Sequence, residues 1–182
     1  PNARIISIKV ADDNGGAYES DVLRGLEWLY LNRDAYRVKI LNMSLSTTIP
    51  TSYATSPIDA AVERLWDAGV TVVVAAGNLG PVQDAVWYAP ANDPYVITVG
   101  AMKDMFSATR GDDQLASYSS KGPSLVDHVV KPDLVAPGNK LVAAAATTAV
   151  SASPAWNGLA SSYYGVLVAP LGLAPVYGET LW

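Results

Sequence analysis

Asn78 ends the run Val70 to Asn78, VTVVVAAGN, and carries an amide that offers two donors and an acceptor. The β-branched residues before it predict a strand apolar on both faces, buried and central in a parallel sheet. In open α/β sheets ligands bind outside the carboxyl ends of strands, which is where a functional amide at Asn78 would stand. Gly77-Asn78 also reads as a plain turn, since both residues tolerate positive φ.

Other reactive side chains are few. The chain has one histidine, His128, and no cysteine, so it has no thiol nucleophile, no disulfide and no thiolate metal site. There is no histidine pair at ligand spacing, and the sequence therefore offers no zinc site. Asp12, Asp13 and Asn14 could suggest calcium. They lack the twelve-residue loop closed by a bidentate Glu and read as a solvated turn.

Several elements must position these residues. RIISIKV, Arg4 to Val10, predicts a buried strand. Ser20 is the expected cap of a helix whose apolar stripe is Val22, Leu26 and Leu29 with Leu23 and Tyr30. VKILNMSL, Val38 to Leu45, predicts a second strand. Ser56-Pro57-Ile58-Asp59 is a helix start in which Ser56 caps and Asp59 can return the bond. Ile58, Ala61, Val62 and Leu65 form that helix's apolar face, and Gly69 ends it in the left-handed conformation. VITV, Val96 to Val99, is the fourth strand. Strands alternating with helices predict an α/β fold, a parallel β-sheet flanked by helices.

The chain has 182 residues, half of them apolar and 16% charged, enough for one domain with a substantial core. The net charge of −5 excludes nucleic acid and an anionic membrane surface as the expected partners. No apolar run reaches transmembrane length. The chain opens at Pro1 without a signal peptide, so the expectation is that an upstream segment was removed or that this is an excised piece.

Five stretches, in this order, carry a resemblance: ILNMSLS, VTVVVAAGNLGP, DPYVITVGAM, LASYSSKGP and KPDLVAPG. Together they resemble the subtilisin-like serine proteases, or subtilases. The resemblance is clear over residues 1–145. The chain diverges over 146–182, with a faint return at Ala174-Pro175-Val176. The resemblance implies a single, incomplete subtilisin-like domain spanning 1–182 and an extracellular location; from the residues themselves, no cofactor and no metal are expected.

The resemblance also assigns roles. Asn78 matches the amide that donates to the oxyanion. Ser44, Leu45 and Ser46, with Ala75, Ala76 and Gly77, match the walls that bind an extended substrate. Tyr88-Ala89-Pro90-Ala91 matches a segment with a cis proline, and Gly100-Ala101 matches a turn. LASYSSKGP and KPDLVAPG are expected to pack below the site. Arg4 to Val10, or its neighbour, is expected to present an apolar edge that recruits another copy or a complementing segment.

Acyl transfer by this family needs a serine, a histidine base and an aspartate that orients it. The family's Asp and His precede the segment like PNARIISIKV, and alignment through Ala174-Pro175-Val176 sets Leu171 at the nucleophile position. The chain therefore reads as a subtilase segment that is inactive alone. Two alternatives stand beside this. One is an esterase-like hydrolase improvised around His128, with Asp127 or Asp133 and Ser119, Ser120, Ser161 or Ser162. The other is a non-catalytic peptide-binding module. The resemblance sets Ser124 to Val130 in a surface loop, which makes His128 an ordinary exposed histidine.

Overall fold

A computed structural model describes residues 4–12, 16–80, 82–105, 107 and 109–139. Its elements are α1 (Glu19–Tyr36), β1 (Ile40–Met43), α2 (Pro57–Asp67), β2 (Thr71–Ala75), β3 (Ile97–Lys103), β4 (Gln114–Leu115) and β5 (Leu134–Pro137). The expectations for Ser161, Ser162 and Leu171 lie outside the described residues.

The expected α/β architecture is present. β1, β2 and β3 run parallel in that order, with Met43 beside Val74 and Ala75 beside Val99. β5 lies parallel to β3 along its other edge, from Val99–Leu134 to Met102–Pro137. The sheet is not wholly parallel. β4 pairs antiparallel with Met102 and Lys103, beyond the end of β2, which makes the sheet mixed. A two-residue strand after a loop needs no crossover helix, so it can pair antiparallel.

One core lies between the helices and one face of the sheet. Val22, Leu26 and Leu29 of α1 meet Ile58, Val62 and Leu65 of α2, above Met43, Val72 and Val74. The helical stripes read from the sequence are therefore the buried ones. The opposite face carries Ile40, Asn42, Val73, Ile97, Val99 and Leu134, all half-buried or exposed.

Helix α2 begins as expected. Ser56 Oγ accepts from the N–H of Asp59 at 3.2 Å, Pro57 opens the helix, and Gly69 follows it with φ +82°. The return bond from Asp59 is not made, because neither carboxylate oxygen has a partner. Ser20 does not cap α1. That helix starts two residues earlier, with the extended Tyr18 at its cap and no side-chain bond there; Glu19 and Asp21 favour its positive end.

Three further expectations are corrected. Arg4 to Val10 is not a strand, and Ile5 is 91% exposed. Strand geometry depends on lateral backbone bonds, and this segment packs on a helix instead. Ile8 and Val10 rest on Gly25 of α1, where an added Cβ would lie 2.7 Å from Val10 Cγ1. The strand expected over 38–45 is confined to Ile40–Met43, which leaves Ser44 to Ser46 beyond its end. Gly100-Ala101 is no turn but the middle of β3, paired with Val135 and Ala136. The Ala89–Pro90 bond is cis, as expected from the sequence.

Candidate functional site

β1 and β2 are parallel neighbours in register, so the chain leaves both from the same end of the sheet. Ser44-Leu45-Ser46 emerges from β1 there, and Ala75-Ala76-Gly77 ends β2 beside it. The structure thus brings together the six expected wall residues and Asn78. Leu45 packs against the core, whereas Ser44 and Ser46 face outward to different degrees. Among the described residues no backbone hydrogen bond outside the strands engages Ser44, Leu45 or Ser46. Their N–H and C=O groups can pair with an extended chain.

The turn bearing Asn78 is held from both sides. The N–H of Ala76 donates to Val99 O at 2.9 Å, which carries β2 pairing one residue past the strand. Gly77 then turns with φ +98°, a conformation that suits glycine. The N–H of Ser120 donates to Gly77 O at 2.9 Å, and the N–H of Leu79 donates to Ser120 Oγ at 3.1 Å. The N–H of Gly80 donates to Tyr118 O at 2.9 Å. A Cβ at Gly80 would lie 2.0 Å from Ser117 O, so only glycine fits. The result is a clamped turn with Asn78 exposed at its crest, its side chain without a hydrogen bond among the described residues. Such an amide is available to an external acceptor.

LASYSSKGP therefore packs under the site as expected, and Tyr118 and Ser120 are the residues that do the holding. The sequence marked this stretch as a landmark without revealing that role, because turn-to-turn bonds leave no periodic trace.

The improvised site around His128 is not assembled. His128 is exposed, with φ 55°, and no hydrogen bond joins its ring to a serine or carboxylate among the described residues. Asp127 instead accepts from Ser52 Oγ at 2.7 Å and from the N–H of Tyr53 at 2.9 Å. Asp133 Oδ2 accepts from Lys131 Nζ and from the N–H of Thr98, each at 2.7 Å. Ser119 and Ser120 are buried, and both hydroxyl oxygens accept backbone N–H groups, Ser119 from Ala101 at 2.9 Å. Among the described residues no group of three His, Cys, Asp or Glu side chains is placed to hold a metal. Asp12 accepts from the N–H of Gly16 at 2.9 Å, a turn bond.

Asp59 and Asp93 are fully buried, which the sequence pattern does not reveal. Burial pushes Asp59 up to about 7, with Asp93, Glu63 and Asp127 adding to the rise and Ser56 opposing it. Burial pushes Asp93 up to about 6, opposed first by the N–H of Tyr95.

The chain is similar to known proteins over most of its length. The family model described as "Subtilase family" matches residues 1–165. "Serine protease AprX" of Bacillus subtilis (strain 168) is 37% identical over 147 residues, covering 78% of this chain and 33% of the relative. "Extracellular serine proteinase" of Thermus sp. (strain Rt41A) is 36% identical over 165 residues, covering 86% of this chain and 35% of the relative. The chain thus spans about a third of the length of these relatives. A cold-adapted subtilisin-like serine proteinase of known crystal structure superposes with TM-score 0.54 at 30% identity, over 74% of this chain and 41% of that one.

Proposed function

The chain belongs to the subtilase family, and from that premise we propose that it is the substrate-wall and oxyanion segment of a subtilisin-like serine endopeptidase. Ser44 to Ser46 and Ala75 to Gly77 bind the peptide as an added strand. The Asn78 amide donates to the oxygen that becomes negative when the scissile carbonyl is attacked. The observation that carries this reading is the clamped turn, which holds an unpartnered amide at the carboxyl end of β2 beside open backbone groups.

In this reading the 182 residues do not cleave peptides by themselves. Their only histidine is His128, whose ring bonds to no serine or carboxylate among the described residues, so no base is at hand to activate a serine. An extracellular location is part of the proposal, supported by the name of the Thermus relative. No helix among the described residues is long and apolar enough to cross a membrane.

Peptide binding without turnover is the second reading, favoured by the unengaged backbone of Ser44 to Ser46. Titration with a labelled peptide aldehyde and with the matching uncleavable peptide separates the two. The endopeptidase-segment reading expects the Asn78→Ala chain to lose affinity for the hydrated aldehyde, whose tetrahedral oxygens need no enzyme nucleophile, more than for the plain peptide. Equal affinity losses, or none, favour a binding module.

A further inference from the structure

Strands β1, β2, β3 and β5 run parallel to one another, and parallel sheets are ordinarily covered on both faces. Here α1 and α2 both pack on one face, where Val72 and Val74 are fully buried. The other face carries Val73, Ile97 and Val99, each half-buried, and Ile40 and Leu134, both exposed. The register sets Val73 beside Ile97 and Val99 beside Leu134, so the apolar surface is continuous across three strands. No helix among the described residues lies on it.

The sequence holds a stretch with the composition of a cover. From Leu141 to Gly178, 38 residues, there is no Asp, Glu, Lys or Arg, although the chain as a whole is 16% charged. The stretch includes Trp156, Tyr163, Tyr164 and the aliphatic run Val166-Leu167-Val168. High charge and low hydrophobicity keep a segment in water, and this one has neither. It gains free energy by burial against another apolar surface.

We propose that residues 141–178 pack across the open face of the sheet, over Val73, Ile97, Val99 and Leu134. These residues diverge from the subtilase pattern, so their composition and their tether carry the assignment, not a shared motif. The tether is the end of β5. Pro137 lies beside Met102 of β3, and the N–H of Gly138 donates to Met102 O at 3.0 Å. The Tyr118 hydroxyl donates to Gly138 O at 2.7 Å. A Cβ at Gly138 would lie 2.8 Å from Ala101 Cβ, so the chain leaves β5 pressed against β3. From there the four parallel strands are about 15 Å across. About ten extended residues span twice that distance, so reach does not limit the cover.

A second copy of the chain is the competing occupant. A tethered segment meets the face at an effective concentration on the order of millimolar, which exceeds that of another copy at micromolar protein. The chain's own segment therefore takes the face. The free edge of β1 is on the far side of the sheet from the tether and stays open to a partner strand. The inference does not depend on the endopeptidase reading, since it concerns only what covers the sheet.

The test uses the full 182-residue chain, whose lack of cysteine lets a single introduced thiol report on one position. Val99→Cys puts that thiol on the face, and Ile49→Cys, at a position 69% exposed, is the reference. Maleimide alkylation of Val99→Cys should be slower than the reference by about tenfold or more, independent of protein concentration. Val166→Lys with Val168→Lys, added to Val99→Cys, should remove most of that protection, because charges oppose burial of the segment. Protection that grows with protein concentration, protection that survives both lysines, or alkylation at the reference rate overturns the proposal. If either variant fails to fold, Leu134→Cys, at a position 49% exposed, is labelled with a benzophenone maleimide and irradiated. Cross-links to residues 141–178 of the same molecule support the cover. Cross-links to another copy, or only to other parts of the chain, overturn it.

Discussion

The N–H of Leu79 donates to Ser120 Oγ at 3.1 Å, a bond between residues 41 positions apart. The same serine's N–H donates to Gly77 O. Ser120 therefore holds the turn from both sides of Asn78 and acts as a positioning residue rather than a nucleophile. Its oxygen is directed at a backbone donor.

Ser120→Ala removes the acceptor for Leu79 and leaves the bond from its own N–H intact. The expected cost is about 1 kcal/mol of stability, the ordinary worth of a partly buried hydrogen bond. Amide exchange at Leu79 should speed by about fivefold. Exchange at Ser120 should change far less. Uniform acceleration across both segments would mean that the serine merely packs.

Lys131 offers a second check on the frame under the site. Its side chain is 1% exposed and bridges Val96 O and Asp133 Oδ2, each at 2.7 Å, while Asp133 also receives the N–H of Thr98. Lys131→Met keeps the volume and removes the charge. Asp133 is 40% exposed, so water takes up part of the loss. We expect destabilisation of about 2 kcal/mol, below the usual figure for breaking a fully buried pair. Urea midpoints of Lys131→Met and Asp133→Asn, with the double variant, read this directly. Additive effects would remove the bridge from the account.

The parts of the fold legible in the sequence are those with a periodic signal. The stripes Val22-Leu26-Leu29 and Ile58-Val62-Leu65 repeat at helical spacing and are buried. Ser56-Pro57 marks a helix start because capping chemistry is local. RIISIKV misled because its alternation resembles a strand, while only a neighbour can make it one. Gly100 matches a turn through the resemblance alone. Its smallness instead serves a close approach, since a Cβ there would lie 3.0 Å from Ser119 Oγ. Asn78 and its walls were visible through ordered motifs. The bonds that hold them, from Tyr118 and Ser120, join distant turns and leave no pattern along the chain. Asp59 passed as a capping residue because sequence does not report burial.

The sheet leads to an expectation about association. Ile40 on β1 is 65% exposed, and no strand pairs the outer side of β1 among the described residues. Ile40, Val73, Val99 and Leu134 lie on the face opposite the helices. An unpaired edge beside an apolar face recruits another chain. We propose that the isolated chain self-associates through this edge. Sedimentation velocity should give a dimer or larger species at micromolar concentration. Ile40→Lys should shift it toward monomer, since edge charges oppose pairing. A monomeric parent chain would rule the edge out.

The last expectation concerns chemistry at the nucleophile position. Through the resemblance at Ala174-Pro175-Val176, Leu171 is expected there, and leucine has no nucleophilic atom. A serine-directed phosphonate should leave the chain unlabelled, and peptide substrates should survive it. Leu171→Ser should not restore peptide cleavage. A serine hydroxyl at neutral pH is a weak nucleophile without a base within hydrogen-bond reach, roughly 3 Å. His128 is the only histidine, and no hydrogen bond ties its ring to a serine or carboxylate among the described residues. Highly activated esters need little leaving-group assistance, so any slow hydrolysis would draw on the Asn78 amide alone. Asn78→Ala should then reduce that hydrolysis by up to about 100-fold, the lower range for one oxyanion donor. His128→Ala should leave it unchanged. Stoichiometric phosphonate labelling mapped to one serine, together with ester turnover abolished by His128→Ala, would reverse the assignment and make His128 the base of a site of its own.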